Sequence, residues 1–149
     1  MPERATIEAA RRDKRQGKSA STQAGEFVRE EMHHIREGKH GAASSKQAIA
    51  IGLSKARRAG VKLGTPKNAS AKTKKAAASE SRRAKSHAKT SPRRSRAMSN
   101  RLKQEPQSAA SHRALSRQAH SAAKRRTKAE RSASAQKAAR TRKRRAAAQ

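Results

Sequence analysis

The chain has 149 residues, 40 of them Lys or Arg against ten Asp or Glu, for a formal net charge of +30 and no Cys. That composition excludes a disulfide framework, a thiolate metal centre and thiol chemistry. The charge is also uneven: residues 1–64 carry a net +7 and residues 65–149 a net +23, while 11 of the 14 Val, Ile, Leu, Met and Phe residues lie before Gly64. Only the front half therefore holds enough apolar material for a packed core, and the back half is suited to contact with a polyanion. No apolar run approaches the roughly 20 residues needed to cross a bilayer. The N-terminus, Met1-Pro2-Glu3-Arg4, lacks the apolar centre of a secretory signal. The expected location is cytoplasmic and nucleoid-associated.

In chain order, Thr6 to Gln16 holds mostly good helix formers and ends at Gly17, which suits a C-terminal cap. With Ile7 its one large apolar side chain, this first helix is expected to be short and marginal. The second helix is predicted from an N-cap at Ser21 or Thr22 to Gly38, with Ala24, Phe27, Val28, Met32 and Ile35 forming a single apolar stripe. The third opens on Ser44-Ser45-Lys46-Gln47, a capping-box pattern, and stops at Gly60. Ala48, Ile49, Leu53 and Ala56 share its apolar face, and Gly52 on that side allows a neighbouring helix to approach closely. The link from Gly38 to Ala43 is short enough to make helices two and three an antiparallel hairpin. Val61 and Leu63 are placed as a lid over its open end.

After Gly64 the composition turns to Lys, Arg, Ala and Ser, with breakers at Thr65-Pro66, Ser91-Pro92 and Glu105-Pro106. Like-charge crowding at Lys124-Arg125-Arg126 and Arg142-Lys143-Arg144-Arg145 opposes helix in free solution. The fold expected is all-α: a small helical hairpin of two main helices plus a short N-terminal helix, with a long, largely disordered and conditionally helical basic tail. The divisions are residues 1–20 (short helix and linker), 21–64 (hairpin), 65–106 (disordered Lys/Ser/Pro-containing linker) and 107–149 (Ala/Arg/Lys-rich tail).

The run Lys46-Gln47-Ala48-Ile49-Ala50-Ile51-Gly52-Leu53-Ser54-Lys55-Ala56-Arg57-Arg58-Ala59-Gly60, preceded by Glu37-Gly38-Lys39, resembles a signature of small, basic bacterial proteins of unknown function. The likeness covers Gln16 to Leu63 and implies no activity, since that family has none assigned. The tail separately resembles the Lys/Ala/Ser-rich tails of bacterial linker-histone-like proteins, a likeness of composition.

The candidate binding residues are cationic. On the third helix and just beyond it they are Lys46, Lys55, Arg57, Arg58 and Lys62. In the tail they are Arg82, Arg83, Arg93, Arg94, Arg96, Lys124, Arg125, Arg126, Arg142, Lys143, Arg144 and Arg145. Each phosphate they neutralise releases counterions, so binding would be strongly salt-dependent and largely blind to sequence. Ser91-Pro92-Arg93-Arg94 resembles a Ser-Pro-basic unit of the kind suited to a narrow minor groove. With Phe27 the only aromatic residue, no stacking platform for single strands is available, which favours duplex DNA over RNA.

His33 and His34 are adjacent and point about 100° apart on a helix, and no carboxylate-rich partner for them or His40 stands out. Solvated histidines, no metal and no cofactor are expected. No nucleophile–base–orienter set can be named, so no enzyme is expected. The functional expectation is a nucleoid-associated, histone-like protein that binds and compacts nucleic acid by phosphate neutralisation. Two other readings stay open: an RNA- or ribosome-associated basic protein, and a protein-interaction hairpin localised by its basic tail. A homodimer through Phe27, Ile49 and Leu53 is an expected partner contact.

Overall fold

The computed structural model describes residues 2–65, 69–86 and 91–147, which form helices and connecting turns with no strand among them. The chain divides into two compact units, Met1–Ala114 and Leu115–Gln149. The first holds α1 (Arg4–Arg15), α2 (Ala20–Arg36), α3 (Ser45–Arg58), α4 (Ala71–Ser86), α5 (Pro92–Gln104) and a 3-10 turn (Gln107–Ala110). Helix α6 (His112–Lys124) begins at its end and continues into the second unit, which also holds α7 (Lys128–Ala146).

The hairpin of α2 and α3 is the centre of the first unit, and α1, the 3-10 turn and α4 pack on it. Its interior is built from the stripe the sequence announces: Ala24, Phe27 and Ile35 are fully buried, with Met32 close to it, against Ala48 and Ala56 of α3. Val61 closes the core, and Leu63 packs against it. Gly52 makes the close approach possible, because a Cβ there would lie 2.7 Å from the Val28 Cα. The glycine terminators behave as the spacing implies, with φ of 66° at Gly17, 75° at Gly38 and 91° at Gly60.

Several helix ends differ from expectation in an instructive way. The N-cap of α2 is Ser19, whose Oγ accepts from the Thr22 amide at 3.3 Å, so the helix starts before Ser21. At α3 the Ser44 Oγ accepts from the Gln47 amide at 3.2 Å, while Gln47 Oε1 accepts from Ala43 N–H at 2.8 Å, one residue outside the usual capping box. Helix α1 is not a loose extension. Ala10 and Asp13 are buried, Ile7 packs against the core, and Lys18 holds Asp13 at 2.6 Å.

The long disordered tail expected from composition is the main correction. Residues 71–86, 92–104, 112–124 and 128–146 are helical. Three of these four helices have side-chain caps at their N-termini, α5 being the exception: Ser70 Oγ accepts from the Thr73 amide and Ser111 Oγ from the Ala114 amide, both at 3.2 Å. A reciprocal capping box opens α7, with Glu130 N–H donating to Thr127 Oγ1 at 3.2 Å and Thr127 N–H to Glu130 Oε2 at 2.8 Å. Frequent Ala supplies intrinsic propensity. The like-charge penalty is small because these cations stand in water, where two charges 4 Å apart interact by only ~1 kcal/mol.

Part of the back half is also tied to the hairpin. Gly41 N–H donates to the Leu102 carbonyl at 2.7 Å and Ala42 N–H to the Pro106 carbonyl at 3.1 Å. Ser45 Oγ donates to the Ala109 carbonyl at 2.6 Å, and Arg36 Nε to the Ala110 carbonyl at 2.9 Å. Ala109 and Ala110 are buried there. Helix α4 is fixed to α3 through the buried Ala77 and through Glu80, which accepts from Ser54 Oγ and faces Arg57 Nη1 at 3.6 Å.

Candidate nucleic-acid interface

The sequence-predicted cations fall into two groups. Lys46, Arg58 and Lys62 are exposed, as are Arg82 and Arg83 on α4, Arg93, Arg94 and Arg96 on α5, and Lys124, Arg125 and Arg126 at the end of α6 and just beyond. Arg142, Lys143 and Arg144 are exposed on α7; the Arg145 side chain is outside those described. Arg58 donates to Ser54 Oγ at 2.9 Å. None of these cations takes part in an ion pair among the described residues.

Lys55 and Arg57 belong to the second group and are turned inward. Lys55 Nζ lies 2.6 Å from Glu31 Oε2 and 3.8 Å from Glu30 Oε1. Arg57 is committed to Glu80 and has a buried Nε with no hydrogen-bond partner among the described residues. The face expected to offer both to phosphate offers neither.

The remaining electrostatics sharpen this division. Every acid except Glu8 is engaged within its own unit, either in an ion pair or, for Glu130, in a cap. Acidic charge is thus largely spent inside the fold, while among the described cations of α4 to α7 only Arg101, 3.8 Å from Glu105, has an acidic partner. On α7, at about 100° per residue, Lys128, Arg131, Lys137, Arg140, Arg142, Lys143 and Arg144 spread around roughly two thirds of the helix, leaving a sector at Ser134, Ala138 and Thr141. So broad a cationic surface makes little demand on the orientation of a phosphate backbone. Ser91 and Pro92, read as the start of a Ser-Pro-basic unit, are the N-cap and first residue of α5, and Thr90 lies outside the described residues. Their arginines are therefore presented on a helix rather than an extended turn.

Sequence reasoning missed a buried ionic cluster. His34 and His40 are not solvated: their side chains are 11% and 17% exposed, against 67% for His33. Glu31 is fully buried and Glu30 nearly so. His34 Nε2 lies 2.8 Å from Glu3 Oε1, and the Glu3 amide donates to Glu30 Oε1 at 3.3 Å. His40 Nδ1 lies 3.0 Å from the Gly41 carbonyl oxygen, and His40 Nε2 lies 3.4 Å from Glu31 Oε1. The His34 and His40 rings meet edge-on with centroids 6.3 Å apart. The legible signal was the i, i+4 spacing of Glu30 and His34 on one helical face. His40 enters only because the chain reverses at Gly38. The hydrogen bond to His34, aided by Lys39, holds the Glu3 carboxyl below its usual range, and Lys39 does the same for Glu37.

Phe27 is fully buried inside the protomer and Ile49 and Leu53 are half-buried, so a dimer cannot use Phe27 as a contact. Among the described residues no helix is long and apolar enough to cross a membrane. No curated protein and no solved structure matches the chain. Residues 11–68, which span the last five residues of α1 together with α2, α3 and the residues that close the core, match the model of a family of unknown function (DUF6496).

Proposed function

We propose that the protein binds duplex nucleic acid, DNA in preference to RNA, through non-specific neutralisation of backbone phosphates by the cations of α4 to α7, and thereby compacts it at the nucleoid. The observation that carries this reading is the segregation of charge. Eight of the ten acids take part in ion pairs, whereas among the described cations of α4 to α7 only Arg101, beside Glu105, has an acidic partner. Fixed helices present these cations without an ordering cost at the moment of contact, which favours affinity. The single aromatic residue is sealed in the core, so base stacking of the single-strand type has no platform.

The test is a salt titration of duplex binding by the full-length chain and by a variant with Lys124, Arg125, Arg126, Arg142, Lys143 and Arg144 replaced by Gln. Each lost phosphate contact lowers the log–log salt slope by about 0.9. An unchanged slope and affinity would remove the assignment. Tighter binding to structured RNA than to duplex DNA at the same salt would move it to RNA.

A further inference from the structure

We propose a second site in this protein: a divalent transition-metal site, of the Zn2+ or Co2+ class, formed by Glu31 and His34 of α2 and His40 of the loop that follows. One ligand atom from each of the three lies within 4.8 Å of the others. Proximity alone would be weak ground, but the bonding around the cluster adds two independent observations.

The first is an unsatisfied carboxylate. Glu31 is fully buried, and its Oε1 has no hydrogen-bond partner among the described residues. Lys55 does not answer for that atom, since its ammonium sits against the other oxygen, Oε2, at 2.6 Å. Glu30 shares the same Lys55 and is also buried. Two buried carboxylates therefore face one fixed cation, and a further positive charge is called for.

The second is the tautomer of His40. Its Nδ1 faces the Gly41 carbonyl at 3.0 Å, and a carbonyl oxygen can only accept, so Nδ1 carries the proton. In the neutral ring Nε2 is then the acceptor nitrogen, and it lies 3.4 Å from Glu31 Oε1, itself an acceptor, with no hydrogen bond between the two. That separation is what two ligands of one tetrahedral ion require: metal–ligand bonds of about 2.0–2.1 Å at a tetrahedral angle place the ligand atoms roughly 3.3 Å apart. Either a metal ion or a second proton on His40 resolves the clash. His34 is prepared in the same manner. Its Nε2 lies 2.8 Å from Glu3 Oε1, and donation to that carboxylate leaves the lone pair on Nδ1, which lies 3.9 Å from Glu30 Oε1. A carboxylate or carbonyl fixing the far nitrogen of a ligating histidine is the ordinary outer support of such sites. Imidazole and carboxylate with no thiolate suit Zn2+, Co2+ or Ni2+ rather than soft ions. Three protein ligands leave the fourth position to water. The bound ion would lock the α2–α3 loop onto the hairpin.

The experiment uses the full-length protein, free of nucleic acid and without a polyhistidine tag, titrated with Co2+ alone and then with Zn2+. The expected result is one equivalent of Co2+ taken up with the visible absorption of tetrahedral Co2+, displaced by one equivalent of Zn2+. His40→Ala and Glu31→Gln should each weaken uptake at least about tenfold, whereas His33→Ala should leave it unchanged. Because Glu31→Gln alters a buried charge and could disturb the fold, His40→Ala, which lies outside the helices, decides between the variants. Failure of the wild-type chain to take up one equivalent, or uptake indifferent to His40→Ala, overturns the proposal and leaves the proton on His40 as the explanation.

Discussion

The Gly41 amide donates to the Leu102 carbonyl at 2.7 Å, stitching the loop between α2 and α3 to the C-terminal end of α5. The contact leaves no room for a side chain, because a Cβ at position 41 would overlap the Glu105 carbonyl. Gly41→Ala is therefore expected to destabilise the first unit by about 1–3 kcal/mol, since backbone rather than a flexible side chain must move. Gly25→Ala is the internal control. Nothing lies within 4 Å of a Cβ there, and helix propensity predicts a gain of about 0.5–1 kcal/mol. Chemical denaturation of both variants checks the pair.

At Gly52 two effects oppose each other. Alanine is the better helix former by about 1 kcal/mol, yet its Cβ would lie 2.7 Å from the Val28 Cα. Packing should win, because separating α2 from α3 loosens contacts along the whole hairpin. Gly52→Ala is expected to lower the midpoint of thermal unfolding, and an unchanged or higher midpoint would mean that the helices are not in intimate contact.

Lys55 is held within the fold by Glu31 at 2.6 Å, with its side chain 17% exposed. Lys55→Ala leaves the Glu31 carboxylate buried without its cation, a change that typically costs about 3–5 kcal/mol. Arg58→Ala, at an exposed neighbouring cation, should fall within about 0.5 kcal/mol of wild type. Equal effects of the two in denaturant titrations would contradict the inward placement of Lys55.

Much of the front half was legible because its signals are local. Apolar periodicity marked the stripe from Ala24 to Ile35, and Gly17, Gly38 and Gly60 marked the helix ends. Gly52 pointed to close helix packing. The tail was misjudged because apolar content was given more weight than capping. Thr127 and Glu130 carry a capping box as plain as the one at Ser44, and Ser70 and Ser111 sit where N-caps belong. What no local pattern could supply were the pairings distant in sequence. Ser45 with Ala109, Arg36 with Ala110 and His34 with Glu3 depend on the assembled fold. Lys55 and Arg57 were misplaced for a related reason: helical phase puts a residue on a face but does not reveal which acid arrives opposite it.

Acid should weaken the anchoring of α1. The Glu3 carboxyl is held below the ordinary value of 4.5 mainly by its hydrogen bond to His34, with Lys39 adding to the effect. A group whose folded value is lowered contributes stability that is complete above the unfolded value and is lost as pH falls through the folded one. The thermal midpoints of wild type and Glu3→Gln should therefore differ at neutral pH and converge as pH falls through the lowered folded value of Glu3. A difference that persists undiminished in acid would show that Glu3 acts through something other than its charge.

The most direct test of the functional account is the salt dependence of duplex DNA binding by the full-length protein and by the variant carrying Gln at 124–126 and 142–144. The account predicts a steep loss of wild-type affinity with rising salt and a slope shallower by up to about 5 in the variant, with little dependence on DNA sequence. Affinity that is flat across the titration, or a slope that survives the six replacements, would contradict it.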